Sequence, residues 1–249
     1  MPNDEKIFLN RLRDLSDRAY FGGYSTYSDF LNINEQSLLL NERFAVGVTL
    51  FGGYSLAERK VARFSVGEEC SDFSDFAIKI VCVSPLNMKF SDNLNHRDFL
   101  GSLMGLGISR SMIGDIIVAD NCGYIFCLEK ISALIVQELK KVKLTSVKCT
   151  IISELPSDIS LSGTDNEVIV PSLRLDAVAA AVFSMPRKEI SHHIASSKVF
   201  VNSVQKDSCS YNLKCGDIVS VRGHGRFTFN EELRTTKKGR IVISVTEFK

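Results

Sequence analysis

The sequence lacks a Cys-x-x-Cys pair, an apolar run of membrane-spanning length and an appreciable net charge. Each absence excludes something. Seven cysteines stand at 70, 82, 122, 127, 149, 209 and 215. With no Cys/His cluster at ligand spacing, zinc is not expected. Cys70, Cys82, Cys127 and Cys149 lie in or beside apolar runs and are expected as small buried hydrophobes in a reducing cytosol. No run approaches the ~18 apolar residues of a membrane span. The opening Met1-Pro2-Asn3-Asp4-Glu5-Lys6 is too polar to begin a signal peptide. A cytoplasmic chain with no membrane partner is therefore expected. Thirty Lys+Arg against 29 Asp+Glu leave +1, which by itself points to no partner.

What is present is an ordinary globular composition: 249 residues, 45% hydrophobic and 24% charged. That length suits one large domain or two to three small ones. The charge is unevenly spread. Residues 172–249 hold 13 Lys+Arg against 7 Asp+Glu, a net +6, and residues 1–171 hold 17 against 22, a net −5. A basic end on an acidic body suggests a polyanion contact at that end.

Periodicity divides the chain. Residues 4–20 read as an amphipathic helix with Phe8, Leu12 and Leu15 on one face. A short helix follows over 35–41, capped by Asn34, then strands over 44–51 and 61–66. Phe-Gly-Gly-Tyr-Ser occurs at 21 and again at 51. The flanks do not repeat and no Gly-Lys-Ser/Thr follows, so these are two turns rather than phosphate loops. Residues 76–156 run strand, helix, strand, strand, helix, strand, which is the ferredoxin-like β-α-β-β-α-β order. Residues 157–171 read as a linker with at most one short strand over 167–170.

In the remainder, Ser172 can cap a helix whose inner stripe is Leu175, Val178, Ala179 and Val182. Pro186 suits a second helix start, with Ile190 and Ile194 inward and Arg187, Lys188 and His192 outward. Strands follow at 199–201 and 218–221, then a hairpin to the end. The fold class expected is α+β. It comprises an N-terminal α/β region (1–75), a ferredoxin-like domain (76–156), a linker (157–171) and a helix–helix–strand module (172–249).

Arg174-Leu175-Asp176, Arg187-x-x-Ile190-x-x-x-Ile194, Val199-x-Val201-Asn202 and Gly216-Asp217-x-Val219-x-Val221 together resemble the αL RNA-binding motif. That motif is the domain named after the fourth small-subunit ribosomal protein. Three positions depart from it. Pro186 replaces the usual Ser, and Ser197 and Ser203 replace the usual Gly, so those two turns must form without glycine. A wider resemblance runs through His96-Arg97-Asp98-Phe99-Leu100-Gly101, Gly105-Leu106-Gly107-Ile108, Gly114-Asp115-Ile116, Arg222-Gly223-x-Gly225-Arg226-Phe227 and Thr236-Lys237-Lys238-Gly239-Arg240. It is similar to the YlmH-type bacterial RNA-binding proteins. That resemblance implies a central RNA-binding domain, a C-terminal αL motif and a role on the large ribosomal subunit with peptidyl-tRNA, in quality control of stalled translation.

The residues expected to meet RNA are Arg174, Arg187, Lys188, His192, Lys198, Arg222 and Arg226, with Arg97 on a second surface. Arginine's planar fork suits phosphate, and Arg226 lies next to glycine, where backbone approaches closely. Structured RNA, rRNA or tRNA, would be met through shape and phosphate. His96-Arg97-Asp98 mimics a kinase catalytic loop, but the Asn that should follow is absent, as is a nucleotide loop. Asp72 and Asp75 sit in a Ser-rich turn and read as surface carboxylates. Neither enzyme chemistry nor a cofactor, metal or DNA partner is expected. The alternatives are an accessory to an RNA-modifying enzyme, since the same motif is often fused to pseudouridine synthases, and a protein-interaction adaptor.

Overall fold

Leucine spacing starts the fold. In helix α1 (Asn3–Gly22) the buried stripe is Leu9, Leu12, Leu15 and Ala19; Leu9 leads it, and the expected Phe8 is only half-buried. The computed structural model describes residues 3–67, 74–157, 159 and 163–248; Cys70 and Asp72 lie outside these. Helix α1 packs on a three-stranded antiparallel sheet of β1 (Thr26–Leu31), β2 (Gly47–Phe51) and β3 (Lys60–Ser65), with β3 in the middle. Strand β1 was not expected, because Ser28 and Asp29 interrupt its apolar alternation. Where its register against β3 shifts, Ser28 Oγ accepts the Ala62 N–H at 2.9 Å. Helix α2 (Ile33–Leu40) is capped by Asn32 rather than Asn34. Asn32 Oδ1 accepts from the N–H groups of Asn34 and Glu35, and the Glu35 carboxylate accepts from the Asn32 N–H.

A second sheet follows. Its strands are β4 (Ile78–Pro85), β5 (Ile113–Ala119), β6 (Cys122–Leu128), β7 (Lys141–Val142) and β8 (Thr145–Ile152), all antiparallel, in the order β5-β6-β4-β8-β7. Helices α3 (His96–Gly105) and α4 (Glu129–Glu138) cover one face, setting Phe99, Leu103, Ile131 and Ile135 against Val81, Val83, Ile125 and Val147. Burial in that layer pushes the Cys127 thiol up to about 12 and Cys149 up to about 11, so both stay protonated and inert. The opposite face carries Ile80, Tyr124 and Phe126, covered by Tyr54, Leu155 and Ile159. Gly53 lets the covering loop approach. Its φ is +99°, and a Cβ there would stand 2.4 Å from the Phe126 ring. The first Phe-Gly-Gly-Tyr-Ser turn has no such neighbour at Gly23. Apart from α2, which is divided between the two, these elements belong to a first unit, Met1–Glu35 with Glu42–Ile159; the second is Gln36–Asn41 with Ser160–Lys249.

From Ser160 onward the described residues of the second unit form a six-stranded antiparallel sheet and two helices. The chain enters through β9 (Thr164–Val170), then α5 (Leu175–Val182), α6 (Arg187–Ala195), β10 (Val199–Val201), β11 (Val204–Gln205), β12 (Ile218–Val221), β13 (Gly225–Thr235) and β14 (Ile241–Phe248). The sheet order is β11-β10-β12-β13-β14-β9. Residues 164–170, expected within a linker, thus form an edge strand paired with β14 along its length. The short strand allowed for over 167–170 is its second half; Asp165 and Asn166, both exposed, hid the first. The core holds Leu175, Val178, Ala179, Val182, Ile190, Ile194, Val219 and Phe227. Helix α5 is preceded by Arg174 as its N-cap rather than Ser172, and α6 by Pro186. Helix and sheet are mixed in both units, the α+β class expected. Among the described residues no helix is long and apolar enough to cross a membrane.

Both helices of this unit end in the same hydrogen-bonded loop. After α5, Ser184 N–H donates to Ala181 O and Met185 N–H to Ala180 O; after α6, Ser197 N–H donates to Ile194 O and Lys198 N–H to His193 O. These are Schellman ends, whose closing residue is left-handed and usually glycine. Here Ser184 has φ +52° and Ser197 φ +58°. Ser203, the other departure from glycine, has φ +66° beside Asn202 at +51°. A left-handed non-glycine residue costs about 1–2 kcal/mol, partly offset by glycine's greater freedom when unfolded. Ser184→Gly is therefore expected to stabilise the unit by about 0.5–1 kcal/mol, read as a higher urea midpoint. Ser197→Gly should gain less, because it loses the bond that Ser197 Oγ accepts from Gln205 Nε2.

Candidate nucleic-acid interface

Helix α6 places its side chains on two faces because Ile190 and Ile194, four residues apart, are buried in the core. Lys188 and His192, also four apart, are then both exposed. At the start of the helix the Arg187 guanidinium meets the Asp176 carboxylate from α5 in an ion pair. Asp176 is shared. Arg174 donates to it through Nε at 3.2 Å and Nη2 at 3.5 Å. The Asp176 side chain is 7% exposed, against 44% for Arg174 and 52% for Arg187. One buried carboxylate thus holds two half-exposed guanidinium groups side by side, and the cluster carries a net +1.

The far end of α6 carries a second group. Lys198 follows the Schellman loop, and its carbonyl accepts the Arg222 N–H at 2.9 Å, which sets the two residues next to each other just beyond the paired ends of β10 and β12. The β12–β13 turn brings His224 to His193, with ring centroids 4.8 Å apart. Lys188, Lys198 and Arg222 are exposed and make no ion pair among the described residues. Arg226 differs from them: it is half-buried, and its guanidinium lies 5.2 Å over the Phe248 ring. At 1.5 Å per residue, α6 spans roughly 13 Å between the two groups. The arrangement is an elongated basic band that offers point charges and guanidinium forks to phosphates.

His193 sits within this band with both ring nitrogens shielded from solvent and without a hydrogen-bond partner among the described residues. Burial holds its pKa below the ordinary value; His224, Lys198 and His192 push the same way, and Glu189 opposes them. The unfolded chain therefore takes the proton more readily than the folded one. Stability is intact above the ordinary imidazole pKa of about 6.5 and is lost as the pH falls below it. The melting temperature is expected to drop between about pH 7 and pH 5, and His193→Leu should flatten that drop. An unchanged slope in the variant would assign the acid sensitivity elsewhere.

Arg97, the residue expected on a second surface, is in the first turn of α3 and exposed. Around it the kinase-like triplet is a helix start. Asn95 Oδ1 accepts from the N–H groups of Arg97 and Asp98, Asp98 accepts from the Asn95 N–H, and Lys143 pairs with Asp98 at 2.8 Å. The Lys143 hydrogen bond, then that from Asn95, holds Asp98 below the usual carboxylate range. Two arginines not singled out from the sequence serve the fold nearby. Arg59 Nε and Arg110 Nη1 both donate to Ile113 O, at 2.9 and 2.6 Å. Burial, then the charge of Arg59, lowers Arg110 to about 10.

Sequence reasoning also missed Asp176 as the anchor of the two arginines, and the His193–His224 contact. A further basic group stands at the β13–β14 turn, where Lys237, Lys238 and Arg240 are exposed; the Lys-Lys-Gly-Arg run was its only signal. Among the described residues no cluster of three or more His, Cys, Asp or Glu is placed to hold a metal.

Residues 71–154 match the family described as "Putative RNA-binding domain in YlmH". Across 95% of this chain and 93% of the relative, the sequence is 29% identical to ribosome-associated protein quality control protein P2 of Bacillus subtilis (strain 168). The fold is similar to that of cell division protein ylmH from Streptococcus pneumoniae, with a TM-score of 0.53 and 18% identity, covering 61% of this chain and 93% of that one.

Proposed function

We propose that the chain, similar in sequence to a ribosome-associated quality control protein, acts as a YlmH-type RNA-binding protein that binds structured RNA on the ribosome as a non-enzymatic factor of translation quality control. The observation that carries this is the basic band along α6. Lys188, Lys198 and Arg222 are exposed and unpaired among the described residues, while Asp176 holds Arg174 and Arg187. In this reading α5, α6 and β10 to β12 are an αL RNA-binding module, and residues 76–156 are a ferredoxin-like RNA-binding domain. The strand order β5-β6-β4-β8 supports the latter, with the first and third strands of the motif central. The target is rRNA or tRNA at the large subunit, in the cytoplasm. The similarity to a quality-control protein over nearly the whole chain supports that choice. Phosphate and shape would be recognised, since the band offers cations and few groups able to read base edges.

Co-sedimentation of the full-length chain with purified large ribosomal subunits, repeated over a salt series, tests the proposal. Counterion release requires affinity to fall with a log–log slope of several units. Absence of binding at low salt, or binding indifferent to salt, would overturn it.

A further inference from the structure

RNA-binding domains built on a four-stranded antiparallel sheet commonly stack bases on aromatic residues of the open sheet face. That face is closed here. Phe126 is fully buried, Tyr54 lies 5.0 Å from it ring to ring, and Leu155 and Ile159 pack over the same layer. The most exposed apolar groups of this domain are at the end of the sheet. Leu86 is 66% exposed, Phe90 85% and Leu144 88%, with Met88 beside them.

These side chains stand on a fixed frame. Leu86 N–H donates to Ser146 O at 2.9 Å. The Asp92 carboxylate accepts from Leu144 N–H and Thr145 Oγ1, at 3.2 and 2.9 Å. Asn121 Nδ2 donates to Ser91 Oγ and Asp92 O, at 2.8 and 2.7 Å. The loop over 86–92 and the turn at 143–144 are thereby tied into one surface. Its charge is basic: Lys89, Lys141 and Lys148 are exposed and unpaired among the described residues, while of the two local acids Asp98 pairs with Lys143 and Asp92 is turned onto Leu144 N–H and Thr145 Oγ1.

We infer that this loop end, Phe90 and Leu144 flanked by Lys89 and Lys141, is a second RNA contact that receives unstacked bases of single-stranded RNA. Rigid apolar tips among lysines match a strand that shows flat bases and a charged backbone at once. The inference rests on the RNA reading above. It moves the contact of the central domain from the sheet face to the sheet end.

The test uses the full-length chain and a fluorescein-labelled, mixed-sequence single-stranded RNA oligonucleotide, followed by anisotropy. Phe90→Ala with Leu144→Ser, which removes base stacking, and separately Lys89→Glu with Lys141→Glu, which removes charge facing the backbone, should each weaken binding by about tenfold. Phe90→Tyr, which keeps a stacking ring, should bind like the parent, so a loss confined to the first two variants is not misfolding. If both variants bind like the parent while Lys188→Glu with Arg222→Glu weakens binding, this inference is wrong and the proposed function stands. If the parent binds no RNA, the proposed function fails and this inference with it. Phe90-dependent binding to phosphatidylglycerol vesicles without any change in RNA affinity would make the patch a lipid contact and overturn the inference.

Discussion

Lys188→Glu combined with Arg222→Glu is expected to weaken ribosome association by roughly a hundredfold and leave the melting temperature unchanged. Both side chains are exposed and neither has a carboxylate partner among the described residues, so folding loses nothing with them. Binding loses two phosphate contacts and gains two repulsions. Each lost contact also removes one released counterion, so the slope of log affinity against log salt should become shallower by about 2. Co-sedimentation over a salt series reads both effects. If affinity and slope stay at the parent values, phosphate is met elsewhere, and Lys237, Lys238 and Arg240 on the β13–β14 turn become the next cations to reverse.

Arg187→Glu should behave quite differently, though it lies one residue from Lys188. It places a carboxylate against Asp176, whose side chain is 7% exposed. Breaking a buried ion pair by removing one partner costs about 3–5 kcal/mol; with Arg174 still bound and Arg187 half-exposed, about 2–3 kcal/mol is expected here. Denaturant unfolding would show the loss as a lower midpoint with an unchanged slope. Adding Asp176→Asn should restore part of it, since the amide removes the like charge while still accepting from Arg174. An Arg187→Glu variant as stable as the parent would mean that the pair contributes nothing to folding. Reduced RNA binding by Arg187→Glu alone therefore mixes packing with recognition, whereas Lys188 and Arg222 isolate recognition.

Which features could be seen in the sequence follows from how local their causes are. Helix α6 was legible because Ile190 and Ile194 mark its inner face four residues apart, and β12 because Ile218-Val219-Ser220-Val221 is short, apolar and bounded by Gly216-Asp217. Strand β1 was not, because Ser28 and Asp29 break the alternation and their partners come from distant residues: Ser28 answers Ala62, and Asp29 answers Arg11 and Lys130. In β9 the end over 167–170 was legible as a short strand, whereas the polar Asp165-Asn166 before it suits an exposed edge yet reads as loop. The cations of the interface were visible individually. Their pairing was not: Asp176 reads as a helix first-turn acid, favourable to the dipole, until the fold brings Arg187 onto it from the next helix. Likewise His193 and His224 become neighbours only once β12 turns back into β13. On the first unit, Gly53 was read correctly as a turn residue, but nothing local showed that the turn would lie on Phe126 and close the sheet face.

Strand β9 bears on how the second unit can be handled. A fragment cut at Ser172, where the recognisable motif begins, would leave β14 with its hydrogen-bonding row bare beside Ile241, Ile243 and Val245. Such an uncovered row is a template on which another copy of the chain can add. The polar run that hid the first half of β9 from pattern analysis is what makes it a good guard in that position. A fragment meant to stay monomeric should begin before Thr164; its shorter counterpart is expected to self-associate, as light scattering against concentration would show.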